Sequence, residues 1–521
     1  MSWTGWFIFF VIVQIVHFAG TWRLYQIAGR KAWEAAVPIY NAVILMKIIN
    51  RPWWWTILLF VPIVNLIMFP VVWVETLRTF GRNSTADTVL VLITCGLYIY
   101  YINYTQKVTK IENRSLKPRT AAGEWVSSIL FAVVAATIVH TYVMQPFTIP
   151  TSSLEKTLLV GDFLFVSKFH YGARVPMTPI AFPMVHDTIP FIHTKSYLPN
   201  PQIPYLRLPG FQKIKRNDIV VFNWPVDTVN AFQQYGDGKY YYKPIDKKSN
   251  YVKRCVGLPG DSLSVRGGYV YINGQKNQLP DRARLQFRYA LRTNGQISPQ
   301  LLVNRYDITD SYEYDSKNSI YYFRAISDES LDKIKNNPSV LEIIPLKSDE
   351  GQWDGSIFPN NNAFPWNNDY FGPLYIPQKG ATVSITAKTL PLYKRLIEVY
   401  EGSEIGIDNK ITQNGTDVLL NGNPLTQYTF KMDYYWMMGD NRNNSEDART
   451  WGFVPFNHVV GKPVFIWMSW DGINNKVRWD RVFTTVGGSG KAVSYLTYFI
   501  VLVIAYFVFD FIRKRKKSAK P

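Results

Sequence analysis

QPFTIPTSSLEKTLLVGDFLFVSKF (residues 145–169) begins inside a stretch, 125–154, that holds no Asp, Glu, Lys or Arg. That is longer than the ~20 residues needed to cross a bilayer core. The quoted segment therefore reads as a membrane helix running out into a polar domain, with Thr151, Ser152 and Ser153 emerging at or just above the lipid surface. A nucleophile there meets its substrate at the membrane. A Ser/Thr cluster at a helix end is more often a cap than a site, so its meaning depends on the rest of the chain.

Four further stretches lack charged residues over a comparable length: 1–22, 52–74, 88–106 and 492–509. The second contains Pro62 and Pro70, which remove backbone donors and read as a broken or re-entrant span. The first has no basic segment before it and is followed by more spans, so it reads as retained and not as a cleaved leader. Arg23, Arg30, Lys31, Lys47 and Arg51 follow the first span, and Lys107, Lys110, Arg114, Lys117 and Arg119 follow the third. Arg513, Lys514, Arg515, Lys516 and Lys517 follow the last. Basic loops stay in the cytoplasm. Five spans then give a multi-pass protein of the inner or plasma membrane, with its N-terminus and the region from about 148 to 490 outside and its C-terminal tail in the cytoplasm. Arg78 and Arg82 conflict with this scheme.

The expected organisation is a membrane module of about three spans (1–120), an anchor helix (121–148), a β core (149–275 and 431–485), an α+β insertion (276–430), a C-terminal membrane helix (490–512) and a basic tail (513–521). The module's connector AWEAAVPIYNAVILM (32–46) reads as an interfacial helix. Runs such as DIVVFNWP (218–225), SLSVRGGYVYING (262–274) and HVVGKPVFIWMSW (458–470), set between Gly, Pro and Asn turns, read as antiparallel strands. Residues 175–210 carry many Pro and apolar side chains, and either pack over the sheet or dip into the bilayer surface. Helical pieces are expected at 328–336 and 391–401.

The net charge of +19 sits largely in the juxtamembrane clusters, where topology and anionic lipid account for it, and no nucleic-acid motif accompanies it. No nucleic acid is expected as a partner. Cys95 lies inside the third stretch and Cys255 is alone in the outer region, which leaves that region without an internal disulfide.

Two other segments carry chemistry. In YVKRCVGLPGD (251–261) period-two alternation puts Tyr251, Lys253 and Cys255 on one strand face, opposite Val252, Arg254 and Val256. An inward Lys there is desolvated, which disfavours the ammonium and makes neutral amine available as a base; an exposed edge lysine is the ordinary alternative. In MMGDNRNNSEDARTWGFVP (437–455), Asp440, Arg442, Asp447 and Arg449 offer alternating-sign pairs able to hold a site rigid, and Ser445 offers a hydroxyl to orient an amine.

In this order the three segments resemble the bacterial type I signal peptidase family (leader peptidases, Ser/Lys serine peptidases). IPTSSLEKTLLVGD is similar to its nucleophile box, RNDIVVFNWP (216–225) to its sheet motif, YVKRCVGLPGD to its lysine box and GDNRNNSEDARTWGFVP to its acidic loop box. The likeness covers roughly 124–480, and the front module resembles long forms found in Bacteroidetes-type bacteria. It implies membrane α-helices plus a mainly antiparallel β catalytic domain of signal-peptidase-like fold, with an α+β insertion domain. It also implies a serine endopeptidase that cuts secreted preproteins after their signal peptides.

By position, Ser153 is then the nucleophile and Lys253 the general base. Thr151 helps the Ser153 backbone N–H form the oxyanion hole, and Ser445 orients the lysine. Asp440, Arg254, Asp447 and Arg449 form the supporting network, and Tyr251 and Met437 desolvate the amine. Expected partners are signal-peptide-bearing preproteins and the lipid bilayer, with the secretion translocon as a further candidate. Two positions depart from the family's usual Ser-Gly-Ser-Met with Pro two residues later: Ser152 stands for Gly and Lys156 for Pro.

No cofactor and no metal are expected. The histidines (17, 140, 170, 186, 193 and 458) fall outside all three boxes, against a Ser-His-Asp triad and against a His-rich metal site. Two rivals remain. Ser153 and Lys156 also spell the S-x-x-K of penicillin-binding acyl enzymes, with Lys156 as base, although no K-T-G-like strand accompanies it. A non-catalytic membrane protein that binds exported chains or the translocon is the other.

Overall fold

The computed structural model describes residues 1–118, 120–229 and 239–518; Arg119 and residues 519–521 of the basic tail lie outside them. The chain forms two compact units. One comprises Met1–Val143, Arg174–Leu208 and Thr228–Lys247, and the other Met144–Ala173, Pro209–Asp227 and Lys248–Pro521.

The first unit is helical: α1 (Trp3–Ile27), α2 (Tyr40–Ile48), α3 (Trp55–Leu58), α4 (Asn65–Thr79), α5 (Thr85–Ile93), α6 (Tyr98–Thr105) and α7 (Ala121–Ile138). Ser2 caps α1 by accepting the Gly5 N–H. Among the described residues three helical stretches are long and apolar enough to cross a membrane: Trp3–Ile27, Ala121–Val143 and Leu496–Arg515.

Two of the five apolar stretches are not straight helices. Residues 52–74 are broken, as their prolines predict: the chain turns between α3 and α4, where Pro62 lacks an N–H and Ile63 adopts φ 70. Residues 88–106 fold into α5 and α6, bent by 119° at a turn through Cys95 and Gly96, both at positive φ. A Cβ on Gly96 would stand 2.7 Å from the Trp73 ring, so α4's approach admits only glycine there. The 125–154 stretch is also shorter as a helix than its charge-free length suggests, since strand geometry begins at Met144.

Glu75 on α4 organises the polar end of this unit. It accepts from Arg51 Nε at 3.0 Å and Arg114 Nη2 at 2.7 Å, and Arg78 lies 3.7 Å away. Arg78 therefore lies at the same carboxylate as Arg51 and Arg114. The Pro-rich residues 174–208 pack in this unit as well, against the start of α1 and the turn before α4. Trp6 Nε1 donates to the Gln202 carbonyl at 2.9 Å, and Ile63 packs with Ala181 and Tyr197.

The second unit is built on an antiparallel sheet whose main strands, numbered along the chain, are β1 (Met144–Thr148), β2 (Asp162–Ser167), β3 (Ile219–Asn223), β4 (Asn250–Gly257), β5 (Tyr434–Met438), β6 (Val454–Pro455) and β7 (Val459–Asp471). Their spatial order is β1-β2-β7-β3-β4-β5-β6. One face buries Val220, Phe222, Cys255, Met437 and Trp451; the other buries Ile149, Leu154, Leu158, Leu164, Ile219 and Val221, with Val252 packed against it.

The stretch 276–430 divides. Residues 286–345 form a separate four-stranded sheet with helices Pro299–Asn304 and Asp328–Ile334, around a core of Leu291, Leu302, Tyr321, Phe323 and Ile334. The later part, including the helical pair Leu390–Arg395 and Leu396–Tyr400, shares its core with Val256, Trp436 and Phe453.

Candidate active site

The site is assembled where β4, β5 and the turn after β1 converge. Lys253 stands in the middle of β4, its Cα opposite Val220 of β3, and is 3 % exposed. Its Nζ lies 2.6 Å from Ser153 Oγ, in hydrogen-bond contact. Burial lowers the Lys253 pKa to about 8; the carboxylates of Asp447, Glu446 and Asp440 pull it up and Arg449 pushes it down. Neutral amine, able to accept the hydroxyl proton, is therefore a substantial fraction near neutral pH.

Two apolar neighbours surround that amine's strand. The Tyr251 ring centroid lies 5.4 Å from Nζ, and the ring packs against Trp224 and Trp451. Met437 is fully buried and is the register partner of Cys255.

Ser153 rides on a single 3-10 turn, Ser152–Leu154, entered through Thr151. Thr151 is exposed and makes no side-chain cap bond, so the turn is held from elsewhere. Leu154 and Leu158 are buried in the sheet and pin the turn from below. From the side, Asn441 N–H donates to the Ser153 carbonyl at 3.1 Å and Asn441 Nδ2 to the Ser152 carbonyl at 3.2 Å. Gly439 permits this approach: a Cβ there would fall 2.5 Å from the Ser153 carbonyl oxygen.

Two buried ion pairs lock the acidic loop. Arg254 reaches Asp440 through Nε at 2.7 Å and Nη2 at 2.6 Å, and Thr157 Oγ1 donates to the same carboxylate at 2.6 Å. Arg449 forks onto Asp447 at 2.9 and 2.8 Å, where the Gly439 N–H also donates at 3.0 Å. Burial alone would raise the Asp447 carboxyl, but Arg449 and the Gly439 N–H outweigh it and hold the group below its ordinary range. Bidentate pairs with their remaining lone pairs satisfied are the kind of buried charge that persists.

The structure thus brings Ser153, Lys253, Tyr251, Arg254, Asp440, Asp447 and Arg449 into one site. Ser445 is placed differently from the sequence expectation. Its Oγ is buried without a hydrogen-bond partner, against Gly439, and the lysine's bond runs to Ser153 instead. Lys156, the base in the S-x-x-K reading, donates to Asp307 at 2.7 Å and Thr309 at 3.1 Å and does not engage Ser153. Ser152 turns its hydroxyl to Asn444 Nδ2 at 3.1 Å. Sequence reasoning missed Asn441, Asn444, Thr157 and Gln286. The asparagines lie within the acidic box and were there to be singled out, whereas Gln286 carries no local signal.

The signal peptidase, peptidase S26, family matches residues 122–331 and 376–470, more than half of the chain. The chain belongs to this family. Among its relatives, the signal peptidase I of Buchnera aphidicola subsp. Acyrthosiphon pisum is 26% identical over 373 residues, 72% of this chain and 82% of the relative. That of Helicobacter pylori is 25% identical over 382 residues, 71% of this chain and 93% of the relative. That of Haemophilus influenzae is 24% identical over 391 residues, 72% and 79% respectively. This signal peptidase is a serine endopeptidase acting on signal-peptide-bearing preproteins, anchored in a membrane by apolar helices. Residues 33–113 match a family of unknown function, DUF5684.

Proposed function

We propose that this signal peptidase cleaves with Ser153 as nucleophile and Lys253 as its general base. Neutral Lys253 takes the Ser153 hydroxyl proton as Oγ bonds to the scissile carbonyl carbon. The resulting ammonium returns that proton to the departing amine as the C–N bond breaks, leaving an acyl ester on Ser153. A water, deprotonated by the again neutral amine, then attacks the ester and releases Ser153. The Ser153 N–H and the Thr151 hydroxyl stabilise the oxyanion. Asp440, Arg254, Asp447 and Arg449 hold the loop that carries the turn, and Tyr251 and Met437 keep water from the amine. The observation that carries this reading is the 2.6 Å contact between Lys253 Nζ and Ser153 Oγ, formed by a lysine whose burial favours its neutral form.

Incubation of a purified preprotein with wild-type enzyme, Ser153→Ala and Lys253→Ala tests it. Both variants should lose at least about 10³-fold in kcat, and equal processing by all three rejects the assignment.

The N-terminus and the sheet unit are further proposed to face outward, with residues 28–120 and the C-terminal tail in the cytoplasm. Three crossings have the same parity as five, so this sidedness survives the loss of two spans. Counting α5 and α6 as one crossing would put Arg51 and Arg114 on opposite faces. Glu75 binds both, and one carboxylate does not reach across a bilayer. In a Cys95→Ala background on intact cells, an impermeant maleimide should label Ser2→Cys and should reach Ser115→Cys only after permeabilisation. The reverse pattern rejects the topology.

A further inference from the structure

We infer that Asp310, on a loop of the 286–345 sheet region, is a positioning residue for the nucleophile turn, acting through the side chains of Asn441 and Asn444. The inference rests on the reading of Ser153 and Lys253 given above and adds to it a device that lies far from both in sequence.

The geometry is a fork of amides around one carboxylate. Asp310 Oδ2 accepts Asn441 Nδ2 at 2.7 Å and Asn444 Nδ2 at 2.8 Å, with Asn444 also 3.0 Å from Oδ1. Each amide nitrogen has a second acceptor on the nucleophile turn: Asn441 Nδ2 donates to the Ser152 carbonyl at 3.2 Å, and Asn444 Nδ2 to Ser152 Oγ at 3.1 Å. The orientation of both amides follows from this. A nitrogen between two acceptors is satisfied, whereas a flipped amide would set its oxygen against a carboxylate. Asp310 therefore fixes which way Asn441 and Asn444 face, and they fix Ser152. Asn441 adds the backbone bond to the Ser153 carbonyl.

Neighbouring residues of the same loop grip the same turn. Thr309 Oγ1 donates to Glu155 Oε1 at 3.2 Å, and Lys156 donates to Asp307 at 2.7 Å. At the other end of the region, Gln286 Nε2 donates to the Glu155 carbonyl at 3.1 Å, while its backbone pairs with Asp440 and Arg442. The 286–345 region thus holds both the turn that carries Ser153 and the loop that carries Asp440.

The turn needs such support. It is a single 3-10 turn whose entry residue, Thr151, makes no cap bond. Its Ser153 must keep both the contact to Lys253 and the aim of its backbone N–H. Displacements on the order of 1 Å at a reacting group lower rates about 10²-fold. Charge-assisted bonds such as those to Asp310 are the strong class, able to hold a group to that tolerance. Asp310 is only partly buried and is not part of the core of its own sheet, so its loss should disturb the turn more than the fold.

The test compares full-length Asp310→Ala, Asp310→Glu and Ser153→Ala with wild type in detergent micelles, using a signal-peptide-bearing preprotein, with kcat, KM and the thermal unfolding midpoint measured for each. Asp310→Ala should lower kcat about 10- to 100-fold with KM within about twofold, at a midpoint close to wild type. Asp310→Glu, which keeps a carboxylate acceptor, should recover most of that loss. Wild-type kcat in Asp310→Ala, beside an inactive Ser153→Ala, overturns the inference and leaves the nucleophile reading intact. A kcat loss that tracks a lowered midpoint and is not recovered by Asp310→Glu also overturns it, since the role is then structural. Processing by Ser153→Ala removes the nucleophile reading itself and the inference with it.

Discussion

Glu75 in the helical unit and Asp440 beside the sheet are both carboxylates buried against arginine, and they differ in how they are held. Glu75 collects three guanidiniums from separate points of the chain, Arg51, Arg78 and Arg114, whose side chains range from 8 to 41% exposed. Asp440 has one guanidinium, Arg254, forked onto it with both side chains 1% exposed, and the Thr157 hydroxyl completes its shell. The first arrangement ties separate segments of the helical unit together, and its spread over three partners should let it tolerate the loss of one. The second fixes one loop in one position, as a site that aims a hydroxyl at an amine requires.

The two should break differently. Arg254→Ala leaves Asp440 charged and buried without its partner, and should destabilise the sheet unit by about 3–5 kcal/mol and abolish processing; unfolding of the purified enzyme followed by near-ultraviolet circular dichroism checks the first and preprotein cleavage the second. Glu75→Gln leaves an acceptor oxygen in place among partly solvated arginines. It should cost about 1–3 kcal/mol in the helical unit, with kcat within about twofold of wild type by the general cost of a remote polar loss. If Glu75→Gln instead abolished cleavage while Arg254→Ala spared it, the contrast drawn between the two carboxylates would be reversed.

The same contrast separates what was legible in the sequence from what was not. The residues of the sheet site could be named because proton transfer from a hydroxyl needs particular side chains, and Ser153, Lys253, Arg254, Asp440, Asp447 and Arg449 lie in short runs whose strand and turn character is local. The β character and the alternation that sets Val252 apart from Cys255 were readable for the same reason. In the helical unit the readable quantity was length without charge, which measures apolarity and not direction. Pro62 marked the break in residues 52–74, but length alone took the Gly96 reversal for the middle of a straight span, although the paired Cys95–Gly96 marks that turn. It also set Arg78 apart from Arg51 and Arg114, because the tie between Arg51, Glu75 and Arg114 spans more than sixty residues. Asp310 was beyond reach for a related reason: its bonds to Asn441 and Asn444 cross some 130 residues, and no periodicity or spacing links a loop of one sheet to the turn of another. Ser445 shows the opposite limit. The right residue type in the right box still does not fix which way its hydroxyl points.

The pH dependence of kcat/KM reports most directly on whether Lys253 is the base. In the free enzyme the ammonium form cannot accept the Ser153 proton, so the rate should fall tenfold per pH unit below about 8 and level off above it, the midpoint matching the burial-lowered lysine. An acid limb centred near 6.5 or lower, or one that persists unchanged in whatever residual activity Lys253→Ala retains, would contradict that assignment.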